Sequence, residues 1–365
     1  MKNNVKQIHD FGQSIWLDFI DRKIMNTGEL KKLIDEDGIT GITSNPAIFE
    51  KAISSSDDYT ADIAKLLEKE ESNEAIFYGV AMQDIRRAAD MLKPVYDAAN
   101  GGDGYVSLEV SPHLANDTAG TIRQAQELWK AVERKNVMIK IPATKEGLEA
   151  IRFCIGEGIN INITLLFALD RYEAVTEAYL LGLEERVKKQ LPISNIASVA
   201  SFFLSRIDVL IDPLLKEKGL DNLKGEVAIA SAKKAYEIYK RVFTSERFKK
   251  LEAQGAKTQR LLWASTGSKD PSFSDVKYIE ALIGPDTVNT VPIETIDAFR
   301  DHGNAAARLE DGLEQATQVL EDIKKAGIEI DAITNQLEQE GIEKFNKPYD
   351  KLLEAIEEQK KKIKG

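Results

Sequence analysis

The stretch Val137-Met-Ile-Lys-Ile-Pro-Ala-Thr144 is apolar at almost every position, which is typical of a strand buried on both faces of a sheet. Lys140 interrupts it, and lysine is rarely buried without a reason. One alternative is that Lys140 pairs with a carboxylate or extends to water at the strand end. The other is that it is a buried amine, whose neutral form attacks carbonyls to give Schiff bases. Which of these two interpretations applies depends on the residues that neighbouring strands place beside Lys140.

Similar short apolar segments alternate with longer amphipathic ones along the chain, the pattern of strand–helix units and a parallel sheet. Eight such strands in 365 residues predict an α/β fold, a (β/α)8 TIM barrel with helical insertions and C-terminal helices. The rival is an open doubly wound sheet, but no glycine-rich dinucleotide fingerprint follows any of these strands. The predicted strands are 14–19, 38–44, 105–110, 137–142, 160–166, 197–203, 260–265 and 287–292.

No Pro-, Gly- or Ser-rich linker divides the sequence, so residues 1–365 are predicted to form one barrel domain. The long connections 45–104 and 204–259 are rich in helix formers and predict extra helices, as do roughly the last 60 residues. A further helix is predicted from Asp117 to Arg134, with a capped start.

Composition excludes several classes of partner. The net charge of −11 argues against a nucleic-acid-binding or anionic-membrane surface, although local basic residues are compatible with a small anionic substrate. No run approaches the ~18 apolar residues of a membrane span. Cys154 is the only cysteine, and Met1-Lys-Asn-Asn4 lacks the apolar core of a signal peptide. We therefore expect a cytoplasmic protein, and the sequence leaves both a monomer and a homodimer open.

The sequence predicts no metal site. Its three histidines, His9, His113 and His302, show no HExxH or other paired-ligand spacing. His113 follows the third strand, where a loop or packing role is the simpler interpretation. Cys154 lies in a helical segment and is predicted to be packed in the core rather than to act as a nucleophile.

Side-chain alternation along the strands predicts which residues enter the barrel. In the fourth strand Val137, Ile139 and Ile141 would face the helices, so Lys140 faces the interior. The same rule turns polar groups of several other strands inward near their C-terminal ends, where this fold builds its active sites. Those inward residues are Asp18, Ser107, Glu109, Ser111, Asn162, Thr164, Ser201, Phe203 and Ser265.

This set suits the chemistry of a Schiff-base lysine. Forming an imine and breaking the adjacent C–C bond both need proton transfers, and Asp18 and Glu109 are the only carboxylates in the inward set. Hydroxyl and amide groups would position substrate hydroxyls or a water; these come from Asn45, Asn162, Thr164 and Ser201. The alternative is a purely structural polar network, but burying two carboxylates and a lysine only for packing would cost stability.

Several segments resemble a known family. Gly41-Ile-Thr-Ser-Asn-Pro-Ala-Ile-Phe49 resembles the N-terminal signature of transaldolases, and residues 137–147 resemble the signature around their Schiff-base lysine. Ser107–His113, Asn160–Phe167 and Ser201–Arg206 support the resemblance, which runs in the family's order from about Trp16 to the C-terminal helices. It implies a (β/α)8 fold and neither a metal nor an organic cofactor.

The resemblance also implies an activity in the pentose phosphate pathway. A dihydroxyacetone unit would pass between sugar phosphates, so that fructose 6-phosphate and erythrose 4-phosphate exchange with sedoheptulose 7-phosphate and glyceraldehyde 3-phosphate. It implies Lys140 as the Schiff-base nucleophile, Asp18 as the acid/base of the C–C step, and Glu109 with Thr164 as the holders of a catalytic water. The remaining implied roles are dihydroxyacetone binding by Asn45, Asn162 and Ser201, an aromatic wall at Phe203, and phosphate binding by Arg206 and Ser265.

One position departs from the family pattern. Many transaldolases carry a second arginine two residues after the serine of the seventh strand, where this chain has Gly267. Lys269 either supplies that charge or is a solvated loop lysine. Two other functions also stay open: a Schiff-base aldolase that releases free dihydroxyacetone, and a non-catalytic barrel that only binds. In the aldolases a tyrosine tends to handle the protons, so Asp18 and Glu109 favour the transferase.

Overall fold

Eight parallel strands, numbered β1 to β8 in chain order, close into a barrel within residues 3–69 and 72–364, the part of the chain that the computed structural model describes. Each strand pairs with its neighbours in sequence, and the first pairs with the last. The barrel prediction is confirmed, and the doubly wound alternative is wrong because the sheet has no open edge. The strands are Gln13–Leu17, Gly41–Ile42, Tyr105–Glu109, Val137–Pro142, Ile161–Leu166, Ser198–Phe203, Arg260–Ala264 and Thr287–Val291.

The second strand is much shorter than the predicted span 38–44. Gly38 has a left-handed backbone (φ 74°) that ends the π-helical turn Leu33–Asp37, so the chain reaches the sheet only after it. Asn45 then caps the next helix, since its side chain accepts a hydrogen bond from the Ile48 amide at 3.1 Å. The prediction of a seven-residue strand was therefore wrong, because apolar residues outside the ladder are buried here too.

The helices, α1 to α16 in chain order, surround the barrel and fill both long connections as predicted. The helix predicted from Asp117 begins at Thr118, and Asp117 Oδ1 accepts the Gly120 amide at 2.9 Å. The described helices are Asn4–Gln7, Arg22–Asn26, Glu29–Lys32, Pro46–Ser54, Thr60–Leu67, Asn73–Ala98, Thr118–Val132, Lys145–Glu157, Leu169–Lys188, Ser205–Glu217, Val227–Phe243, Glu246–Glu252, Lys277–Ala281, Ile293–His302, Leu313–Lys325 and Ile330–Lys364.

The last helix, α16, lies across the C-terminal end of the barrel. It packs on α4 and α6, and its Gly341 lies so close to Leu165 of β5 that an added Cβ would be 2.9 Å from the Leu165 side chain. Leu165 itself has a left-handed backbone (φ 52°) at an irregularity in the β5–β6 ladder. An ion pair between Arg171 and Glu338 (3.2 Å) also holds the helix. A helix predicted only as a C-terminal addition thus covers part of the barrel mouth.

None of the described helices has the length and apolar character needed to cross a bilayer. Cys154 is fully buried in α8, as predicted, and burial raises the pKa of its thiol to about 12. A protonated, inaccessible thiol is a poor nucleophile, which agrees with a packing role. The prediction that residues 1–365 form a single domain stays a prediction.

Candidate active site

Lys140 lies inside the barrel near the C-terminal end of β4, with 7% of its side chain exposed. Its Nζ donates a hydrogen bond to the Ser44 carbonyl at 2.8 Å and lies 3.3 Å from Glu109 Oε2. The strands explain this contact, because Lys140 is directly opposite Glu109 on β3 and Asn162 on β5. The lysine is thus buried and paired at once, with a carboxylate within reach of its amine.

Glu109 is as buried as Lys140, and its Oε2 has no well-aligned hydrogen bond to any described residue. Burial raises the pKa of the Glu109 carboxyl, while the Lys140 ammonium opposes this rise. Thr164 Oγ1, also buried, likewise lacks a partner within the described chain. Buried polar atoms are nearly always hydrogen-bonded, to protein or to ordered water. A water held between these two groups would satisfy that requirement.

Asp18 follows β1 and is partly exposed at the wall of the cavity. Its Oδ1 accepts a hydrogen bond from Thr43 Oγ1 at 2.7 Å, and Thr43 contacts Thr290 Oγ1 at 2.6 Å. Burial raises the pKa of the Asp18 carboxyl, and the positive charges of Lys140, Lys269 and Arg206 oppose this rise. A carboxyl with a raised pKa is suited to giving and taking protons near neutral pH.

Amides and hydroxyls lie beside the lysine. Asn162 Nδ2 donates to Ser107 Oγ at 3.0 Å, and Ser201 Oγ donates to Asn162 Oδ1 at 2.7 Å. Asn45 lines the cavity from the start of α4. Asn45 and Ser201 thus bring donors and acceptors to the cavity beside Lys140, while Asn162 holds the Ser201 hydroxyl from behind the wall.

Arg206 and Lys269 bring positive charge to the same cavity. The Arg206 guanidinium lies over the Phe203 ring, 5.4 Å from its centroid, and its Nη1 is buried without a hydrogen-bond partner in the described residues. Ser265, with a left-handed backbone (φ 55°), lies 2.9 Å from Ser205 through the two hydroxyls. Lys269 is exposed and contributes to the same cavity. A guanidinium nitrogen without a partner and an ammonium are groups that can bind an anion.

Lys269 extends its ammonium alongside Gly267. A Cβ added to Gly267 would lie 3.9 Å from Lys269 Nζ, so the ammonium occupies the neighbourhood in which a side chain at position 267 would begin. The ammonium of Lys269 thus lies close to the position at which many transaldolases carry their second arginine. This placement favours Lys269 as part of the site over a lysine that only faces solvent.

One cavity of about 230 Å³ joins these groups at the barrel mouth. A cavity of about 550 Å³ lies beside α10 and shares only Ser205 and Lys269 with the residues above. Two predicted site residues, Glu109 and Asn162, lie beneath the smaller cavity rather than on its wall. Its walls include the other nine, namely Asp18, Asn45, Lys140, Thr164, Ser201, Phe203, Arg206, Ser265 and Lys269.

Sequence reasoning missed several residues of the site. Thr43 and Ser44 follow the short second strand, and the Ser44 contact is made by a carbonyl, which leaves no mark in the sequence. Lys344 and Phe345 of α16 also line the cavity. Ser111, predicted to face inward, does not line it.

The residues that the structure describes contain no group of three or more His, Cys, Asp or Glu side chains arranged to hold a metal ion. His113 lies outside the cavity, where its Nε2 contacts Asp350 Oδ1 at 2.7 Å and its ring meets Tyr349 edge-on. The loop or packing role predicted for His113 agrees with these contacts.

Comparison with known proteins gives this arrangement a family. Residues 15–356 match the family described as Transaldolase/Fructose-6-phosphate aldolase. This chain belongs to that family. Among curated members of the transaldolase family, the Transaldolase of Trichodesmium erythraeum is 48% identical over 99% of this chain and 98% of its own length. Transaldolase 2 of Nostoc sp. is 48% identical over 97% of each chain, and the Transaldolase of Saccharopolyspora erythraea is 45% identical over 98% of each.

Proposed function

We propose that this chain is a transaldolase that carries a dihydroxyacetone unit between sugar phosphates of the pentose phosphate pathway. The observation that carries the proposal is the contact between Lys140 Nζ and Glu109 Oε2 (3.3 Å), where Lys140 lines a cavity that Arg206 and Lys269 also line. An amine, a proton acceptor and an anion subsite in one cavity are the parts that Schiff-base chemistry on a sugar phosphate requires.

In the first half-reaction, the neutral Lys140 amine attacks the ketone carbon of fructose 6-phosphate or sedoheptulose 7-phosphate. The carbinolamine loses water to give an iminium ion, with Glu109 passing protons through a water that Thr164 also binds. The support for this step is the pair of unpartnered oxygens on Glu109 and Thr164. Glu109 lies 3.3 Å from Lys140 Nζ, which favours it for imine chemistry over the later C–C step.

Asp18 then takes the proton of the C4 hydroxyl while the C3–C4 bond breaks. The bond's electron pair moves into the iminium, and an aldose phosphate leaves. An enamine of dihydroxyacetone remains on Lys140 and attacks the acceptor aldehyde, with Asp18 returning the proton to the new hydroxyl. Hydrolysis through Glu109 frees the lysine. The raised pKa of Asp18 supports this role, because such a carboxyl exchanges protons readily.

Binding would divide between the two ends of the cavity. Asn45, Asn162 and Ser201 would hold the dihydroxyacetone hydroxyls, while Phe203 forms an aromatic wall. At the far end Arg206, Ser265 and Lys269 would bind the phosphate, since a guanidinium offers paired donors and an ammonium adds charge. The protein's chemistry then needs no metal or organic cofactor. A cytoplasmic location and a monomeric or homodimeric state complete the proposal.

A trapping experiment tests this function directly. Borohydride added during incubation with fructose 6-phosphate should reduce the imine and add a dihydroxyacetone-derived mass to Lys140. Mass spectrometry of the peptide containing Lys140 reads the result, and Lys140→Met is the control that cannot form an imine. An unmodified Lys140 under turnover conditions would contradict the proposed mechanism.

The same preparation separates a transferase from an aldolase. Product formation from fructose 6-phosphate is measured with and without erythrose 4-phosphate. A transferase forms sedoheptulose 7-phosphate only with the acceptor, whereas an aldolase releases free dihydroxyacetone without it. Free dihydroxyacetone at a rate equal to the exchange rate would favour the aldolase.

A further inference from the structure

Helix α16 adds a further cation, Lys344, to the cavity that Arg206 and Lys269 line. Lys344 and Phe345 line the same cavity as Arg206 and Lys269, although about 140 residues separate Lys344 from Arg206. The close packing of Gly341 on Leu165, one turn earlier, fixes this part of the helix. Lys344 therefore belongs to the wall of the cavity.

Phe345 connects the helix to Arg206. The Arg206 guanidinium carbon lies 5.9 Å from the centroid of the Phe345 ring and 5.4 Å from that of Phe203. The guanidinium is thus placed between two aromatic rings, one from the barrel and one from α16. Its Nη1 has no hydrogen-bond partner in the described chain, so a donor remains available in a confined, positively charged space.

Glu340 is the anionic partner of Lys344 in the structure, while Asp18 is the carboxylate whose charge interacts with both Arg206 and Lys269. Glu340 Oε2 accepts a hydrogen bond from Lys344 Nζ at 2.8 Å, and its Oε1 accepts one from Gln336 Nε2 at 2.7 Å. Its charge also interacts with that of Arg206. Both partners of the Glu340–Lys344 pair are substantially exposed, with 32% and 54% of their side chains accessible. Exposed i,i+4 pairs of this kind are weak, and a stronger anion can replace such a partner.

We propose that Lys344 is a further phosphate-positioning residue, and that the substrate phosphate takes the place of Glu340 as its anionic partner. The inference deepens the proposed function and rests on it for the identity of the substrate. A phosphate between Arg206, Lys269 and Lys344 would be held from the start of α10, the loop after β7 and α16 together. Glu340 would then reduce the affinity of the site for anions that are too weak to compete with it.

The experiment compares three variants of the full-length protein. Lys344→Met removes the charge but keeps most of the aliphatic stem, and Glu340→Gln removes the competing charge. Lys347→Met is the matched control, because Lys347 is also exposed on α16 and does not line the cavity. Calorimetric titration with inorganic phosphate gives the Kd of each protein, and initial rates with fructose 6-phosphate give KM and kcat.

We expect Lys344→Met to raise the phosphate Kd and the KM for fructose 6-phosphate about three- to tenfold more than Lys347→Met does, with kcat changing less than KM. Glu340→Gln should lower the phosphate Kd by about two- to fivefold. Equal phosphate affinities of the Lys344→Met and Lys347→Met proteins would overturn the proposal, and so would weaker phosphate binding by Glu340→Gln. Failure to trap Lys140 would contradict the proposed function alone, since phosphate titration does not depend on catalysis.

Discussion

Glu109 Oε2 lies 3.3 Å from Lys140 Nζ, and only 7% of either side chain is exposed. Replacing such a buried pair by apolar residues is often neutral or stabilising, so the pair by itself is weak evidence for a structural role. Its oxygen also lacks a well-aligned hydrogen bond within the described residues. The contact between Glu109 and Lys140 is therefore better suited to proton transfer than to stabilising the pairing of the two strands.

Glu109→Gln therefore tests the proton role with little change in shape. We expect kcat to fall by at least about 10²-fold, because general acid–base groups contribute roughly that much or more. Rapid-quench borohydride trapping should show slower imine formation rather than slower C–C cleavage. Glu338→Gln is the control, since Glu338 is also a partly buried carboxylate paired with a cation but lies outside the cavity. Near-normal trapping rates in Glu109→Gln would remove Glu109 from the mechanism.

Strand alternation predicted the position of the Lys140–Glu109 pair because it depends only on the direction of side chains along a strand and on the pairing of neighbouring strands. Side chains alternate along each strand, and adjacent parallel strands place equivalent residues side by side. The register then puts Lys140 between Glu109 and Asn162, with Thr164 beside Pro142. Only the ends of most strands were misjudged, by one or two residues. The exception is the second strand, where buried apolar residues continue beyond the two-residue ladder.

The parts that escaped prediction depend on long-range packing. Lys344 and Phe345 enter the site only because α16 crosses the barrel mouth, and an amphipathic helix does not reveal which surface it will cover. Ser44 contributes a carbonyl, which every residue has. Lys269 reaches the cavity through the path of the loop after β7. Each of these features depends on how at least two segments of the chain lie against each other in the folded protein.

The loop after β7 allows the phosphate role of Lys269 to be tested by loss and rescue. Lys269→Met should raise the KM for fructose 6-phosphate about tenfold, as expected for the loss of one charged contact to a phosphate. Gly267→Arg in the same background should recover part of that loss. A Cβ at Gly267 meets no described atom outside its chain neighbours nearer than 3.7 Å, so the side chain has room to start. A KM unchanged by Lys269→Met would identify Lys269 as a solvated loop lysine.

Asp208 of α10 predicts a pH dependence of stability. It is 2% exposed, and burial raises its pKa to about 7 although Tyr278 OH (2.7 Å) and the Ala228 amide (2.9 Å) donate to it. The Asp208 carboxyl therefore binds its proton more tightly in the folded state than in the unfolded state. The free energy of unfolding should therefore fall as pH rises from about 4 to about 7, by an amount on the order of 4 kcal/mol from this group.

Asp208→Asn isolates this contribution, because an amide can serve both neighbours without ionising. The variant should gain stability relative to the wild type as pH rises through that window, and the difference should level off above it. Urea unfolding at closely spaced pH values measures it, with Asp58→Asn as an exposed control. Parallel stability curves for Asp208→Asn and the wild type would show that Asp208 does not titrate there.

Gly147, in the first turn of α8, packs against the end of the strand that carries Lys140. Its substitution should disturb the packing of β4 and α8. A Cβ at Gly147 would lie far inside van der Waals contact with the Pro142 carbonyl oxygen, whose backbone cannot move without shifting the end of β4. Gly147→Ala should therefore lower the free energy of unfolding by about 1–3 kcal/mol, the usual cost of overpacking. Gly156→Ala in the same helix is the matched control. Its Cβ would lie 3.3 Å from the flexible end of Glu185 and at ordinary contact distance (3.9 Å) from the Gly182 carbonyl oxygen, and alanine favours helix by up to about 1 kcal/mol. Urea unfolding measures the stabilities of both variants, and borohydride trapping shows whether Lys140 can still form the imine. Equal stability of the two variants would mean that β4 and α8 adjust to the added methyl group.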